Sequence, residues 1–161
     1  MNNEVMTDEY YMRLAIEEAV VAGAEDEVPI GAVVINEAGE VIARGHNKRE
    51  QLKSPSAHAE FLAIEDAAKK LEAWRLSGCT VYVTLEPCIM CSGLMHQSRI
   101  ARCVFGAFDQ KAGALSTLYN IADDERLNHN FEVTGGVLEV ECAKLLSDFF
   151  KARRNKKTPN S

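Results

Sequence analysis

The chain has 161 residues, 47% of them hydrophobic and 26% charged, with 18 Lys and Arg against 24 Asp and Glu for a formal charge of −6. This is ordinary globular usage at the length of one domain, long enough for a core without disulfide staples and too apolar for a disordered chain. No apolar stretch approaches the ~20 residues of a membrane span. Residues 1–10 carry Glu4, Asp8 and Glu9 where a secretory leader would have a basic start and an apolar run, so the cytoplasm is the default compartment.

Met12, Ala15, Ile16 and Ala19 recur at helical spacing over residues 9–22, and Gly23 is a natural stop. Residues 29–35 and 40–44 read as two strands joined at Ala38-Gly39, a hairpin signal. The polar stretch 46–56 reads as a loop. Residues 57–71, rich in Ala, Leu, Glu and Lys, read as a helix with Ser56 as its cap. Trp74 beyond it is expected to pack inside. Residues 79–85 form a β-branched and aromatic run between Gly78 and Pro87, hence a buried strand. Pro87 then opens a helix at a favoured first-turn position, running to about Ser98. Residues 102–107 form a further strand, 108–129 mixed loop and helix, and 131–133 a weak edge strand stopped by Gly135-Gly136. The final helix, 138 to about 154, carries Leu138, Cys142, Leu145, Leu146 and Phe149 on one stripe. This order predicts an α/β fold, a sheet sandwiched between helices, in one domain spanning residues 1–161.

The charge is uneven. Residues 151–161 hold Lys151, Arg153, Arg154, Lys156 and Lys157 and no acid, whereas every Asp and Glu lies at or before Asp148. An acidic body with a basic tail fits a local anionic partner, and equally a solvated, fraying terminus.

Five cysteines, at 79, 88, 91, 103 and 142, suggest reduced thiols in a chain with no export signal. Cys88 and Cys91 form C-x-x-C, for which a redox pair, half of a structural zinc site and two ligands of a catalytic metal compete. The neighbours favour the last. Both thiols lie where a helix dipole favours the thiolate that binds metal. His58 supplies a third ligand, leaving a tetrahedral position for a water whose pKa zinc lowers to ~7, and Glu60 has the chemistry to move that water's protons. Positions 58 and 60 diverge around a regular helix, so they serve one centre only if it lies off the helix end. A structural site would need a fourth ligand from His46, His96, His129, Cys79, Cys103 or Cys142, none of which has knuckle spacing. A redox pair would leave His58 and Glu60 unexplained. H-x-E with P-C-x-x-C is the known signature of zinc nucleobase deaminases.

The matching strings extend further: Glu27-Val-Pro-Ile-Gly-Ala32, His46-Asn47, Ala57-His-Ala-Glu60, Trp74-Arg75-Leu76, Thr84-Leu-Glu-Pro-Cys-Ile-Met-Cys91, Ser98-Arg99-Ile100, Val104-Phe-Gly-Ala107, Asp109 with Lys111, Asn128-His129 and Asp148-Phe-Phe150. With them the chain resembles the bacterial tRNA-specific adenosine deaminases of the cytidine deaminase-like superfamily, from about Tyr10 to Lys157. The resemblance implies a three-layer α/β/α sandwich around a mixed five-stranded sheet, and one Zn2+ per subunit on His58, Cys88 and Cys91. It makes Glu60 the catalytic acid and base of hydrolytic adenosine-to-inosine conversion at the tRNA wobble position. It implies substrate contacts from Asn47, Asp109, Lys111, Phe149, Arg153 and Arg154, the last three toward the anticodon stem-loop, and a homodimer with its sites near the subunit interface. The helical stripe puts Phe149 in the core instead, and Asn47 and Asp109 also read as loop residues satisfying backbone groups. Deamination of a free base or nucleoside (guanine, cytosine or cytidine) is the alternative activity. A silent zinc module on RNA would need a fourth protein ligand. One string departs from the family: Gly113-Ala-Leu-Ser-Thr-Leu118 carries Leu115 and Ser116 where a small-residue Gly-Ala-x-Gly-Ser type is usual, a change that falls in the substrate loop or the dimer contact.

Overall fold

The computed structural model describes residues 7–157; residues 1–6 and the end of the basic tail, 158–161, lie outside the described residues. Thr7 caps α1 (Asp8–Ala24), its hydroxyl accepting the Tyr10 amide at 3.2 Å. There follow β1 (Gly31–Ile35), β2 (Val41–His46), α2 (Arg49–Leu52), α3 (Ala59–Leu71), β3 (Thr80–Leu85), α4 (Ile89–Gln97), β4 (Arg102–Ala107), a 3-10 turn at Ile121–Asp123, β5 (Glu132–Gly135) and α5 (Glu139–Lys157). The sheet order is β2-β1-β3-β4-β5, with β1 antiparallel to both neighbours and β3, β4 and β5 parallel. This is the expected mixed five-stranded sheet.

Side-chain alternation splits the sheet into two faces. Ala32, Val34, Val81, Val83, Cys103 and Phe105 pack toward α3 and α4, with Ala63, Ile64 and Met95. Val33, Ile35, Tyr82 and Val104 face the other way, onto Tyr11, Met12 and Ala15 of α1 and Cys142 of α5. At the amino end of α1, Asp8 accepts hydrogen bonds from Tyr82 Oη and, in two-pronged fashion, from Arg102, all at 2.8 Å, tying the helix to β3 and β4.

Strand direction decides where the chemistry sits. β2 and β3 each run antiparallel to β1, so they are parallel to one another and their carboxyl ends share an edge. α3 follows β2 and α4 follows β3, so both helices start from that edge, as in other parallel α/β sheets. Gly45 allows α3 its close seat: a Cβ there would stand 2.5 Å from the Ala59 carbonyl oxygen, one residue past His58.

Five local readings are corrected. The polar 46–56 stretch contains α2, because the buried Glu27 carboxylate accepts the Glu50 and Gln51 amides at 3.1 and 2.8 Å and anchors its first turn. The cap of α3 is His58, in extended backbone, and not Ser56. Pro87 stands one residue before the α4 cap, which is Cys88 itself. The only helical piece between 108 and 129 is the 3-10 turn. Trp74 is 61% exposed, beneath the Arg75 guanidinium at 5.0 Å, because it falls in the connection between α3 and β3 and not on a packed face.

Candidate metal centre and substrate pocket

Two helix starts meet at the carboxyl edge of the sheet. His58 caps α3, Cys88 caps α4 and Cys91 lies in the first turn of α4. His58 Nδ1 stands 3.7 Å from Cys88 Sγ and 3.5 Å from Cys91 Sγ, and the three ligand atoms lie within 4.8 Å of one another. A zinc tetrahedron with Zn–S of ~2.3 Å and Zn–N of ~2.1 Å has N···S edges of about 3.6 Å, so these donors fit zinc by spacing as well as by softness. The extended backbone of His58 resolves the divergence expected of positions 58 and 60: the imidazole leaves from before the helix, the carboxylate from its first turn.

Among the described residues no fourth ligand joins this cluster. His46 is held between Glu18 and Glu25 at 3.1 and 3.0 Å. His129 Nε2 meets the Ile100 carbonyl at 2.9 Å, and His96 Nδ1 the His129 carbonyl at 3.3 Å. Cys79, Cys103 and Cys142 are buried in the core. Three ligands and a remaining tetrahedral position are the form of a catalytic zinc site.

The local charges match. The Cys91 thiol donates to the Cys88 sulfur, holding Cys88 well below the ordinary thiol range, and the same bond together with burial pushes Cys91 up. The hydrogen bond with Cys88 raises His58. Without metal the triad therefore shares protons that an incoming zinc ion displaces. Burial pushes the Glu60 carboxyl up to about 7, where it can both take and give a proton near neutrality.

Glu60, His58 and Cys88 open into a cavity of about 260 Å³ that also receives Asn47, Asp109 and Phe150. That is small beside the ~300–1,000 Å³ of drug-sized ligand pockets and suits a single flipped base. A larger hollow of about 770 Å³ runs along β5, but none of the triad reaches it. Asn47 is buried; its Nδ2 donates to the Val28 carbonyl at 3.2 Å and its Oδ1 accepts the Arg49 amide at 3.2 Å. Lys111, Arg153 and Arg154 line an adjacent recess, joined to the metal cavity through Phe150. Arg153 is engaged by Asp26, donating to its carbonyl and its carboxylate at 3.2 and 3.1 Å.

Phe149 is not brought to the cavity. It is half-buried on the stripe of α5, under the Arg153 guanidinium at 4.6 Å, while its neighbour Phe150 is 43% exposed and faces the site. Glu86 is the site residue that sequence reasoning missed. Burial raises its carboxyl, but hydrogen bonds from Thr117, Asp109 and Ser116 outweigh this and hold it below the usual value. The available signal was an acid directly after a buried strand and just before Pro87-Cys88.

The cytidine and deoxycytidylate deaminase zinc-binding region matches residues 5–107. The tRNA-specific adenosine deaminase of Bacillus subtilis (strain 168) is 56% identical over 151 residues, covering 93% of this chain and 92% of that protein. A solved structure from studies of A-to-I editing by tRNA:A34 deaminases at the wobble position of transfer RNA superposes with a TM-score of 0.81 at 42% identity, over 85% of this chain and 99% of that one. A guanine deaminase from Nitrosomonas europaea superposes with a TM-score of 0.76 at 27% identity, over 92% and 88%.

Proposed function

The chain belongs to the cytidine and deoxycytidylate deaminase zinc-binding family, among its tRNA-specific adenosine deaminases, and we propose from this that it converts adenosine to inosine at the wobble position of a tRNA anticodon. The observation that carries the chemistry is the three-ligand cluster at a cavity that holds a buried carboxylate. Zinc, when bound, supplies a hydroxide-strength nucleophile near neutral pH. Glu60 takes a proton from the attacking water and delivers one to adenine N1 as oxygen adds to C6. It then takes the proton of the new C6 hydroxyl and gives it to the C6 amino nitrogen, which departs as ammonia while the C6 carbonyl forms, so water and adenosine leave as inosine and ammonia.

Reaching the cavity requires the base to leave its stack, which costs least in an unpaired loop. Asn47, with one amide hydrogen beyond its bond to Val28, contacts the base edge. Asp109 borders the base and Lys111 the neighbouring backbone. Phe150 stacks against RNA, while Arg153 and Arg154 face phosphates of the stem-loop. Leu71, Trp74, Ile89, Leu118 and Tyr119 are exposed on the α3 and α4 layer and the loop beside it. A second copy of the chain covers this apolar set, forming a homodimer. Among the described residues no helix is long and apolar enough to cross a membrane, and action on tRNA suits the cytoplasm.

Incubating the zinc-loaded protein with an anticodon stem-loop RNA and sequencing for inosine tests the reading. Wobble inosine is expected. Turnover of free guanine, cytosine or cytidine with the RNA left unchanged would replace it with the free-base activity.

A further inference from the structure

Glu86 directly follows β3, two residues before the first cysteine of the metal cluster, and is 2% exposed. Both carboxylate oxygens are occupied from a single distant segment. Oε1 accepts the Asp109 amide at 3.1 Å and the Thr117 hydroxyl at 2.5 Å; Oε2 accepts the amides of Leu115, Ser116 and Thr117 at 3.2, 2.8 and 2.9 Å. The segment wraps the carboxylate so closely that a Cβ at Gly113 would collide with it. The Ala114 amide also joins the two pieces by donating to the Pro87 carbonyl at 2.9 Å, and the Glu86 amide donates to the carbonyl of Ala107, which ends β4 just before the segment, at 2.8 Å. Asp109 in turn organises its own turn, its Oδ1 accepting the Lys111 and Ala112 amides at 3.0 and 3.1 Å.

We infer that Glu86 is a positioning residue: its buried carboxylate holds the 109–117 loop, and with it Asp109 and Lys111, in fixed register with the metal-ligand turn, so that a base seated over the metal meets the loop at one distance. A carboxylate is the group for this task because it accepts at both oxygens and donates at neither. The atypical Leu115 and Ser116 are accommodated for the same reason, since both are gripped through main-chain amides that any residue except proline supplies. The inference rests on the tRNA deaminase reading only for what the loop touches; the grip itself is independent of the substrate.

Glu86→Gln tests it. The amide oxygen takes the place of Oε2 and keeps three donors, while the NH2 group confronts the Asp109 amide, donor against donor. The substitution therefore frees the Asp109 end of the loop. Zinc content, amide hydrogen exchange over 109–117 and deamination of a stem-loop RNA are measured together. The expected result is one zinc per chain, faster exchange in the loop, a KM for RNA raised about tenfold or more and a kcat within about threefold of the parent, the split that marks lost binding without lost chemistry. Thr117→Val, which removes only the hydroxyl bond, moves KM in the same direction by a smaller factor, and decides the matter if the Gln variant does not fold. Loss of zinc, unchanged loop exchange, or a fall in kcat at constant KM in either folded variant overturns the inference. If the parent protein leaves RNA unmodified, the functional reading fails while loop exchange still tests the grip.

Discussion

Two adjacent phenylalanines on α5 separate the contributions of substrate contact and core packing. Phe150 is 43% exposed and borders both the metal cavity and the recess of Lys111, Arg153 and Arg154. Stacking of an aromatic ring on an unpaired base contributes ~1–3 kcal/mol, so Phe150→Ala should raise KM for a stem-loop RNA by about 5- to 150-fold. The ring supports little of the core, and the melting temperature should move by no more than about 2 °C. Phe149→Ala should do the reverse. A fully buried Phe→Ala change costs about 3–5 kcal/mol and this ring is half-buried, so about 2 kcal/mol is lost, a fall of about 4–8 °C for a domain of this size. KM should stay within about threefold. Steady-state deamination and thermal unfolding of both variants supply the numbers. A Phe150→Ala protein with unchanged KM, beside a Phe149→Ala protein that melts normally and binds RNA poorly, would refute the placement of α5.

Acid stability should depend on Asp8. The Arg102 guanidinium, joined by the Tyr82 hydroxyl, outweighs burial and holds its carboxyl below 3.8. This stabilisation is complete above the ordinary aspartate range of ~3.9 and fades as pH falls through the lower folded value. Asp8→Asn should therefore cost about 1–2 kcal/mol at pH 7, and its melting temperature should rejoin that of the parent in strong acid; a constant gap from pH 7 to acid would contradict this. Replacing Arg153 and Arg154 with Ala should weaken RNA binding and flatten its dependence on salt by up to ~1 in log–log slope per lost phosphate contact. An unchanged slope would leave the end of α5 a solvated terminus.

The metal cluster was legible because its chemistry admits few residue types: His58, Glu60, Cys88 and Cys91 declare themselves by identity and by position at two helix starts. The sheet was legible because β1, β3 and β4 are buried on both faces, so each reads as a short continuous apolar run between turn residues. Features held by distant partners were not visible. α2 is four residues long and depends on the Glu27 carboxylate more than twenty residues upstream. The 109–117 loop has no periodicity to read, and its order comes from Glu86 across more than twenty residues. Helical spacing places Phe149 on the core stripe while the resemblance assigns it to RNA; the structure agrees with the spacing, with α5 held by Arg153 on Asp26 and Glu141 on Arg13.

Zinc content and inosine formation, determined side by side on Glu60→Ala and Cys88→Ala, reach the centre of the account. Glu60→Ala should hold one zinc per chain and lose at least ~100-fold in turnover, whereas Cys88→Ala should lose the metal and the activity together. Normal turnover without the Glu60 carboxylate, or a zinc-replete and active protein without the Cys88 thiol, would contradict the roles given to both residues.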